Sequence, residues 1–318
     1  GVSRFRQFCQ GVQNLISLEH ALHALEAYGL TGIRVRLLSE VDCVVFRVTA
    51  KGIDGDASEQ SAVLKIYPGN KKDAANIDAE VEWLQALTLE TTLRVPRPLT
   101  ARDGSIIQSI ATDSEDVWPG VLFSWVEGHS LDEELVPQGL RRIGTFVGTL
   151  HQHSQAWRGP RQPRLRKGTF TQRVFRWVIE MERPETLSVD AWDVLVRAAR
   201  RLEAETDTLG QDSLVYGFIH SDLYLSNFVF HGDAVGLIDF SDCAFGHYAD
   251  DMASALIFLK HPWVGNFDHT HNYPRLRDAF FEGYQTVRSL PSNVEEAIDV
   301  YFAARILLLL AYVHQARN

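Results

Sequence analysis

The spacing of apolar residues differs between two parts of the chain, with the change near residue 128. Before it, apolar side chains at near-helical spacing predict amphipathic helices over residues 14–28 and 72–90. Short runs of β-branched and apolar residues, separated by polar loops, are typical of strands. Such runs occupy residues 33–38, 43–50, 61–67, 105–111 and 120–125. The first part is therefore predicted to form an antiparallel sheet accompanied by helix.

Helical spacing dominates the second part of the chain. Apolar residues recur three and four positions apart over residues 138–153, 169–181, 189–208, 251–260, 274–288 and 293–316. One exception lies at the centre, where Phe228–Phe230 and Val235–Ile238 flank a Gly-Asp turn and predict a short β-hairpin. The pattern predicts an α+β protein with a small sheet-rich lobe and a larger, mostly helical lobe.

Length and composition are those of an ordinary globular protein. The chain has 318 residues, of which 45% are hydrophobic and 23% charged, and two lobes are expected at this length. The longest purely apolar run, Ile306–Val313, is far shorter than the roughly 20 residues of a membrane-spanning helix. Residues 1–13 contain no apolar stretch of the kind found in secretory signals. We expect a cytoplasmic protein with no membrane partner.

Charge and cysteine content exclude further classes of protein. The net charge of −10 disfavours nucleic acid as a partner, because nucleic-acid binding requires a basic surface. Cys9, Cys43 and Cys243 are widely spaced and form no CxxC pair. Neither a disulfide framework nor a thiolate metal site is predicted. Nothing in the sequence indicates the oligomeric state.

Two polar segments on either side of the predicted hairpin carry the candidate chemistry. They read HSDLYLSN at residues 220–227 and IDFSD at residues 238–242. Phosphoryl transfer needs Mg²⁺ on the phosphate oxygens, a carboxylate near the attacking hydroxyl and a cation on the phosphates. An Asp and an Asn five positions apart, with a second Asp across a hairpin, supply the hard oxygen ligands that Mg²⁺ prefers. Each residue alone is also common in turns, so the spacing carries the prediction.

The pattern H-x-D-x-x-x-x-N, followed by a hydrophobic-Asp-Phe-x-Asp segment, resembles the aminoglycoside phosphotransferase and choline kinase family, a branch of the protein-kinase-like fold. Other segments extend the resemblance over nearly the whole chain. They are Ala62–Ile66, the helix around Glu80, Val95–Pro98, Val121–Gly128, Gly144–His151 and Phe245–Ala253. The resemblance implies a bilobal fold. Residues 1–124 would form the nucleotide-binding lobe, and residues 125–318 a helical lobe with the catalytic loop, the metal loop and the acceptor-binding region.

The family's functional residues have counterparts at matching positions of this chain. By this resemblance Asp222 would orient or deprotonate the acceptor hydroxyl, and Asn227 and Asp239 would bind Mg²⁺. Lys65 would hold the α- and β-phosphates and pair with Glu80.

The nucleotide contacts are less completely matched. By the same resemblance the backbone of Ser124 and Val126 would bind adenine, because both residues lie within Val121–Gly128, the segment that resembles the hinge. The phosphate-covering loop would lie near Leu38–Cys43, which contains no glycine, so the G-x-G-x-x-G motif is absent. Backbone amides, helped by Ser39, would reach a phosphate instead. ATP is the expected nucleotide, and GTP stays open as the alternative.

Three assignments have alternatives in neighbouring residues. Glu82 lies close to Glu80 and is the alternative partner for Lys65. We prefer Glu80 because leucines follow it at i+4 and i+7, and its carboxylate lies on a different stripe of the helix from the core face. Asp251 aligns with the family's Asp better than Asp250, although either residue can interact with a helix N-terminus. His220 is interpreted as a brace for the loop and not as a proton-transfer group.

Two rival functions share the same fold. A protein kinase is disfavoured because Asp239 is followed by Phe-Ser, no Ala-Pro-Glu occurs downstream, and only eleven positions lead from Asp239 to Asp250. A pseudokinase, which binds nucleotide without turnover, is favoured only by the missing glycines. The predicted function is therefore ATP-dependent phosphate transfer to a hydroxyl of a small molecule. Aminoglycosides, choline and other amino alcohols, homoserine-like compounds and sugars all remain open as the acceptor.

Overall fold

The computed structural model describes residues 16–40, 43–68, 74–112, 116–130, 135–157, 159, 169, 171, 175, 178–180, 182–261 and 270–315. The chain divides into two units, Gly1–Glu127 and Gly128–Asn318. Within the described residues, no helix is both long enough and apolar enough to span a membrane.

The first unit is built on a five-stranded antiparallel sheet. Its strands are β1 (Thr31–Glu40), β2 (Val44–Lys51), β3 (Glu59–Ile66), β4 (Ile107–Ala111) and β5 (Val117–Ser124). They are arranged in the order β1-β2-β3-β5-β4. Each strand overlaps a predicted one. β1 is longer at both ends than the predicted 33–38, and its pairing with β2 continues past a register shift between Leu37 and Ser39.

One face of this sheet forms the core of the first unit. β2 alternates strictly, and Val44, Phe46, Val48 and Ala50 are buried on the same face. They pack with helix α1 (Leu18–Glu26), whose buried residues face the sheet. The predicted helix 14–28 is thus shorter as observed, and its residues 14 and 15 lie outside the described part of the chain.

A second helix of this unit, α2 (Ala74–Glu90), carries the predicted Glu80. It is buried on several sides, since Ile77, Trp83, Leu84 and Leu87 are all at most 1% exposed. Residues 72 and 73 of the predicted helix lie outside the described residues. Burial on several sides places Glu80 in the protein interior, where a charged group needs a partner.

The second unit is mostly helical, as the apolar spacing predicts. Its helices are α3 (Pro137–Ala156), α4 (Val189–Thr208), α5 (Tyr248–Lys260), α6 (Tyr273–Gln285) and α7 (Val294–Gln315). The predicted helix 169–181 falls largely outside the described residues. Helix α4 has the predicted bounds, with Ser188 as its N-cap accepting a hydrogen bond from the Ala191 amide.

Helices α3 and α6 approach each other closely because glycines line their contact. A Cβ atom added to Gly144 would overlap the carbonyl oxygen of Phe280, and one added to Gly283 would overlap that of Arg141. The glycines of the GTFVGTLH segment therefore serve packing. They bring His151 of α3 against Tyr284 of α6.

One part of the second unit was not predicted. Strands β6 (Tyr216–Ile219) and β9 (Ala244–His247) form an antiparallel pair, with Ile219 opposite Ala244. The predicted hairpin is therefore not the only pair of strands in this unit. Four residues are too few to show an alternating pattern, and the pairing joins segments far apart in sequence. The pair places residue 220 beside the start of α5.

The predicted hairpin is present as β7 (Phe228–His231) and β8 (Ala234–Leu237). Its turn includes Gly232, whose φ of 58° lies in the left-handed region that glycine adopts without cost. At the open end, the Ile238 amide donates to the Asn227 carbonyl oxygen at 2.9 Å. The residues just outside both strands are thereby held side by side.

Candidate active site

The first unit contains a buried ion pair between two of the predicted site residues. Lys65 Nζ lies 3.3 Å from Glu80 Oε1, and the two residues are only 8% and 1% exposed. The other carboxylate oxygen, Oε2, accepts a hydrogen bond from the Tyr67 hydroxyl at 3.1 Å. Glu82 is exposed. Of the two candidate glutamates, the structure brings Glu80 to Lys65.

The segment after β5, predicted to bind adenine, is anchored to an earlier part of the same unit. The Ser124 amide donates to the Arg97 carbonyl oxygen at 2.8 Å, and the Ser124 hydroxyl accepts from the Arg97 amide at 2.9 Å. The next residue, Trp125, has its ring 4.5 Å from the Arg47 guanidinium. Val126 follows as a half-buried residue. The position of Val126 is thus set by the end of β5 and by the contacts of Ser124 and Trp125.

Ser39 lies inside β1, opposite Val45, and is half-buried. The strand predicted to end at residue 38 continues to Glu40, because its pairing with β2 resumes after the register shift. Val41 and Asp42, the middle of the glycine-free segment, lie outside the described residues. Ser39 therefore belongs to a strand and not to the loop in which it was expected.

The predicted catalytic loop, residues 220–227, connects β6 to β7. The Asn227 side-chain nitrogen donates to both the carbonyl oxygen of Asp222, at 2.9 Å, and its carboxylate Oδ2, at 3.3 Å. Asn227 is buried and Asp222 half-buried. Because the nitrogen is committed to Asp222, the amide oxygen is the atom of Asn227 that can bind a cation.

Asp239 lies at the same end of the hairpin as Asn227, since the Ile238 amide bonds the Asn227 carbonyl. Its φ is 66°, a left-handed value that costs a residue with a side chain about 1–2 kcal/mol. The Ser241 hydroxyl donates to its Oδ1 at 2.6 Å. Strain of this kind in a non-glycine residue is common at functional sites.

The carboxyl of Asp222 titrates near neutral pH. Burial raises the pKa of Asp222 to about 7, and the negative charges of Asp242 and Asp239 add to the increase. The Arg305 charge and the Asn227 hydrogen bond act in the opposite direction. A carboxylate with such a pKa can both accept and release a proton at physiological pH.

A carboxylate of α5 holds the beginning of the catalytic loop. Asp251 accepts hydrogen bonds from the Ser221 amide at 2.7 Å and the His220 amide at 3.0 Å. His151 Nε2 lies 3.2 Å from the same carboxylate and donates to it. Burial alone would raise the pKa of Asp251, but these hydrogen bonds and the nearby histidines lower it overall. Asp251 is therefore the loop-binding member of the Asp250–Asp251 pair.

His220 links the catalytic loop to the end of the hairpin. Its Nε2 lies 3.1 Å from the Ile238 carbonyl oxygen, which can only accept, so Nε2 carries the proton. Its ring also packs edge-on against Phe240, with centroids 4.7 Å apart. These contacts are those of a brace between the loop and the segment that contains Asp239.

Similarity to known proteins agrees with this geometry. The sequence model of the phosphotransferase enzyme family matches residues 41–296. This chain belongs to the phosphotransferase enzyme family. The resemblance that the sequence motifs indicate is confirmed.

Relatives of this phosphotransferase include kinases of several small molecules. Homoserine kinase from Mesorhizobium japonicum is 30% identical over 221 residues, which cover 64% of this chain and 59% of the relative's length. Amicoumacin kinase hAmiN, solved in complex with AMP-PNP, Ca²⁺ and Ami, has a TM-score of 0.80 at 20% identity, covering 95% of this chain and 87% of that one. A microcompartment-associated aminopropanol kinase has a TM-score of 0.71 at 25% identity, covering 93% and 89%. The α+β protein-kinase-like fold is confirmed.

Two residues that contact the predicted site were missed from the sequence. Tyr67 stands two residues after Lys65, on the same side of an extended segment, so strand alternation could have placed it near Glu80. Arg305, which contacts the catalytic loop, lies far downstream on α7. No local pattern marks that second residue.

Proposed function

We propose that this phosphotransferase moves the γ-phosphate of ATP to a hydroxyl group of a small molecule. The observation that carries the proposal is the contact between Asn227 and Asp222 at the open end of the β7–β8 hairpin, with Asp239 two residues after β8. This arrangement collects one carboxylate suited to proton transfer and two hard oxygen donors. Together with a cation on the phosphates, these are the groups that phosphoryl transfer requires from a protein.

Asp222 acts on the acceptor hydroxyl. Its carboxylate accepts the hydroxyl hydrogen and orients the oxygen for attack. It takes up the proton as the new oxygen–phosphorus bond forms and the bond between the γ-phosphorus and the bridging oxygen breaks, with ADP as the leaving group. The Asn227 amide keeps the carboxylate in one orientation.

The residues present fit a bound Mg²⁺ ion. Asn227 and Asp239 offer oxygen ligands, and Mg²⁺ in kinases is usually held by one or two protein oxygens together with phosphate oxygens and water. Among the described residues, no group of three His, Cys, Asp or Glu side chains forms a metal site of its own. When bound, the ion would neutralise charge on the transferring phosphate.

Lys65 and Glu80 supply the phosphate contacts of the first unit. We assign the Lys65 ammonium to the α- and β-phosphates, with Glu80 setting its position. The amide of Ser124 is used by Arg97, so the carbonyl of Ser124 and the backbone of Val126 are assigned to adenine. AMP-PNP in the amicoumacin kinase structure supports ATP as the nucleotide.

The acceptor is proposed to be an amino alcohol. Two of the relatives are a homoserine kinase and an aminopropanol kinase, and both of those acceptors carry a hydroxyl and an amine. A cytoplasmic location is proposed together with this function, since ATP is the phosphate donor.

A screen of ATP consumption over amino alcohols, homoserine-like compounds, aminoglycosides and sugars tests the proposal. Wild-type protein should turn over at least one acceptor, and Asp222→Asn should lower kcat by about 10²–10⁴-fold. Asp239→Ala should abolish Mg²⁺-dependent turnover while circular dichroism stays unchanged. Asp233→Ala is the matched control, because Asp233 is exposed at the opposite end of the same hairpin.

The proposal fails if Asp222→Asn turns over as fast as wild type. It also fails if the protein binds ATP but phosphorylates no acceptor in any class, which is the behaviour of a pseudokinase.

A further inference from the structure

Arg305 is a buried cation on α7 whose guanidinium donates hydrogen bonds to three residues. Its Nε and Nη2 donate to Asp250 Oδ1 at 3.1 and 2.7 Å. Nη2 also donates to the Ser221 carbonyl oxygen at 2.9 Å, and Nη1 to the Tyr224 hydroxyl at 3.2 Å. Both members of the Arg305–Asp250 pair are completely buried. Asp250 supplies the charge partner that a buried guanidinium needs, while the other two contacts reach the catalytic loop.

Ser221, the residue before Asp222, is held on both sides. It has a φ of 67°, a costly conformation for a residue with a side chain. Its amide donates to Asp251 at 2.7 Å and its carbonyl accepts from Arg305 at 2.9 Å. The two contacts together maintain a backbone conformation that Ser221 would otherwise leave, and this conformation sets the direction in which the chain enters Asp222.

Tyr224 is anchored on the other side of Asp222, two residues later. Its hydroxyl accepts the Arg305 hydrogen bond, and its ring packs against Phe258 with centroids 5.0 Å apart. A single guanidinium thus contacts the loop immediately before and shortly after the carboxylate residue.

We propose that Arg305 is a positioning residue for phosphoryl transfer. By fixing Ser221 and Tyr224 it holds the Asp222 carboxylate where the acceptor hydroxyl must meet it. The inference rests on the proposed function, in which Asp222 acts on that hydroxyl. Position matters because a displacement of about 1 Å at a catalytic group can lower the rate about 100-fold.

Two roles of Arg305 can be separated by mutation. Its pairing with Asp250 concerns stability, since removing one partner leaves an unpaired buried charge. Its hydrogen bonds to Ser221 and Tyr224 hold the loop in the conformation that positions Asp222. A double variant, Arg305→Met with Asp250→Asn, removes both charges together, and the Asn oxygen can still accept the hydrogen bond that Thr171 donates to Asp250.

The experiment measures kcat and KM of the double variant with the acceptor found for wild type. We expect kcat to fall about 100-fold, the KM for ATP to change less than about threefold, and the melting temperature to stay close to that of wild type. Such a split between kcat and KM separates positioning from a general loss of folded protein.

The matched control is Lys260→Met with Asp299→Asn. This ion pair joins the same two helices, α5 and α7, because Lys260 Nζ lies 2.5 Å from Asp299 Oδ1. Its two residues lie away from the catalytic loop in sequence and carry no assigned role. The control should keep wild-type kcat.

A folded double variant of Arg305 and Asp250 with wild-type kcat would overturn the inference. If that variant does not fold, the Tyr224→Phe variant provides the test, because this substitution removes only the hydroxyl that Arg305 contacts. Its kcat should fall severalfold, and wild-type kcat would overturn the inference.

If wild type phosphorylates no acceptor, the proposed function fails and hydrogen exchange tests the positioning separately. Faster exchange of peptide 219–227 in the folded variant supports loop positioning by Arg305, and unchanged exchange contradicts it.

Discussion

At the scale of single residues, the buried Glu80 carboxylate has a hydrogen-bond partner on each of its oxygens. Glu80 receives Lys65 on one oxygen and Tyr67 on the other, which leaves the carboxylate one orientation. A hydrogen bond to a buried charged group is worth about 1.5–3 kcal/mol, so these contacts determine where the Lys65 ammonium lies. Glu82, exposed and only two positions away, has no such environment.

The substitution Glu80→Gln should lower kcat/KM for ATP by about 100-fold, because it removes the charge that orients Lys65. It should also reduce the free energy of unfolding by about 3–5 kcal/mol, since Lys65 is left as an unpaired buried cation. Steady-state kinetics and urea denaturation check both effects. Glu82→Gln is the matched control and should change neither quantity. Equal effects of the two substitutions would mean that Glu80 is not the partner of Lys65.

At the scale of elements, packing between helices positions the side chains that bind the catalytic loop. Helix α3 crosses α6 closely at Gly144 and Gly283. The crossing positions His151, which donates to Asp251 on α5, and Asp251 in turn binds the amides of the loop. The glycines of α3 are thus connected to the site through two buried side chains.

Gly144→Ala should destabilise the protein. The added Cβ overlaps a backbone oxygen of α6, and overpacking of about 3 kcal/mol exceeds the gain of about 1 kcal/mol in helix propensity. The expected net loss is about 2 kcal/mol in the free energy of unfolding, measured with urea. Gln152→Ala, on the exposed face of the same helix, should stay within about 0.5 kcal/mol of wild type. A Gly144→Ala protein as stable as wild type would argue against the close crossing.

At the scale of the whole molecule, buried histidines link stability to pH. His247 Nε2 donates to the Gly210 carbonyl oxygen at 2.6 Å, and Nδ1 lies 2.7 Å from the Tyr301 hydroxyl, from which the neutral ring accepts. Burial lowers the pKa of His247 below 6.5, and burial likewise lowers the pKa of His151. Below pH 6.5 the unfolded chain therefore binds protons that the folded chain does not, and stability falls with decreasing pH.

Replacing His247 by Gln should remove one of the groups that bind a proton only when the chain unfolds. Between pH 6.5 and the lower folded pKa, wild type should lose up to about 1.4 kcal/mol per pH unit relative to His247→Gln. Denaturation of both proteins at pH 7.5 and 5.5 measures this difference. The raised pKa of Asp222 makes stability change with pH in the opposite direction. This contribution is the same in wild type and variant, so it cancels from the difference between them. A stability difference that does not change with pH would show that His247 titrates normally in the folded protein.

The sequence by itself determined the parts of this protein that depend on local order. Apolar periodicity predicted α4 with its observed bounds, and every strand of the first sheet was predicted approximately. The spacing of Asp222, Asn227 and Asp239 likewise identified the family. Those three residues come together through one short hairpin, so their proximity follows from chain connectivity.

Only the tertiary structure decided contacts between distant segments. The β6–β9 pair was missed, and Arg305 had no motif at all. The physical reason is common to both. The partner of a buried polar group is set by which helices and strands pack against it, and that packing is the sum of many apolar contacts that no local pattern records.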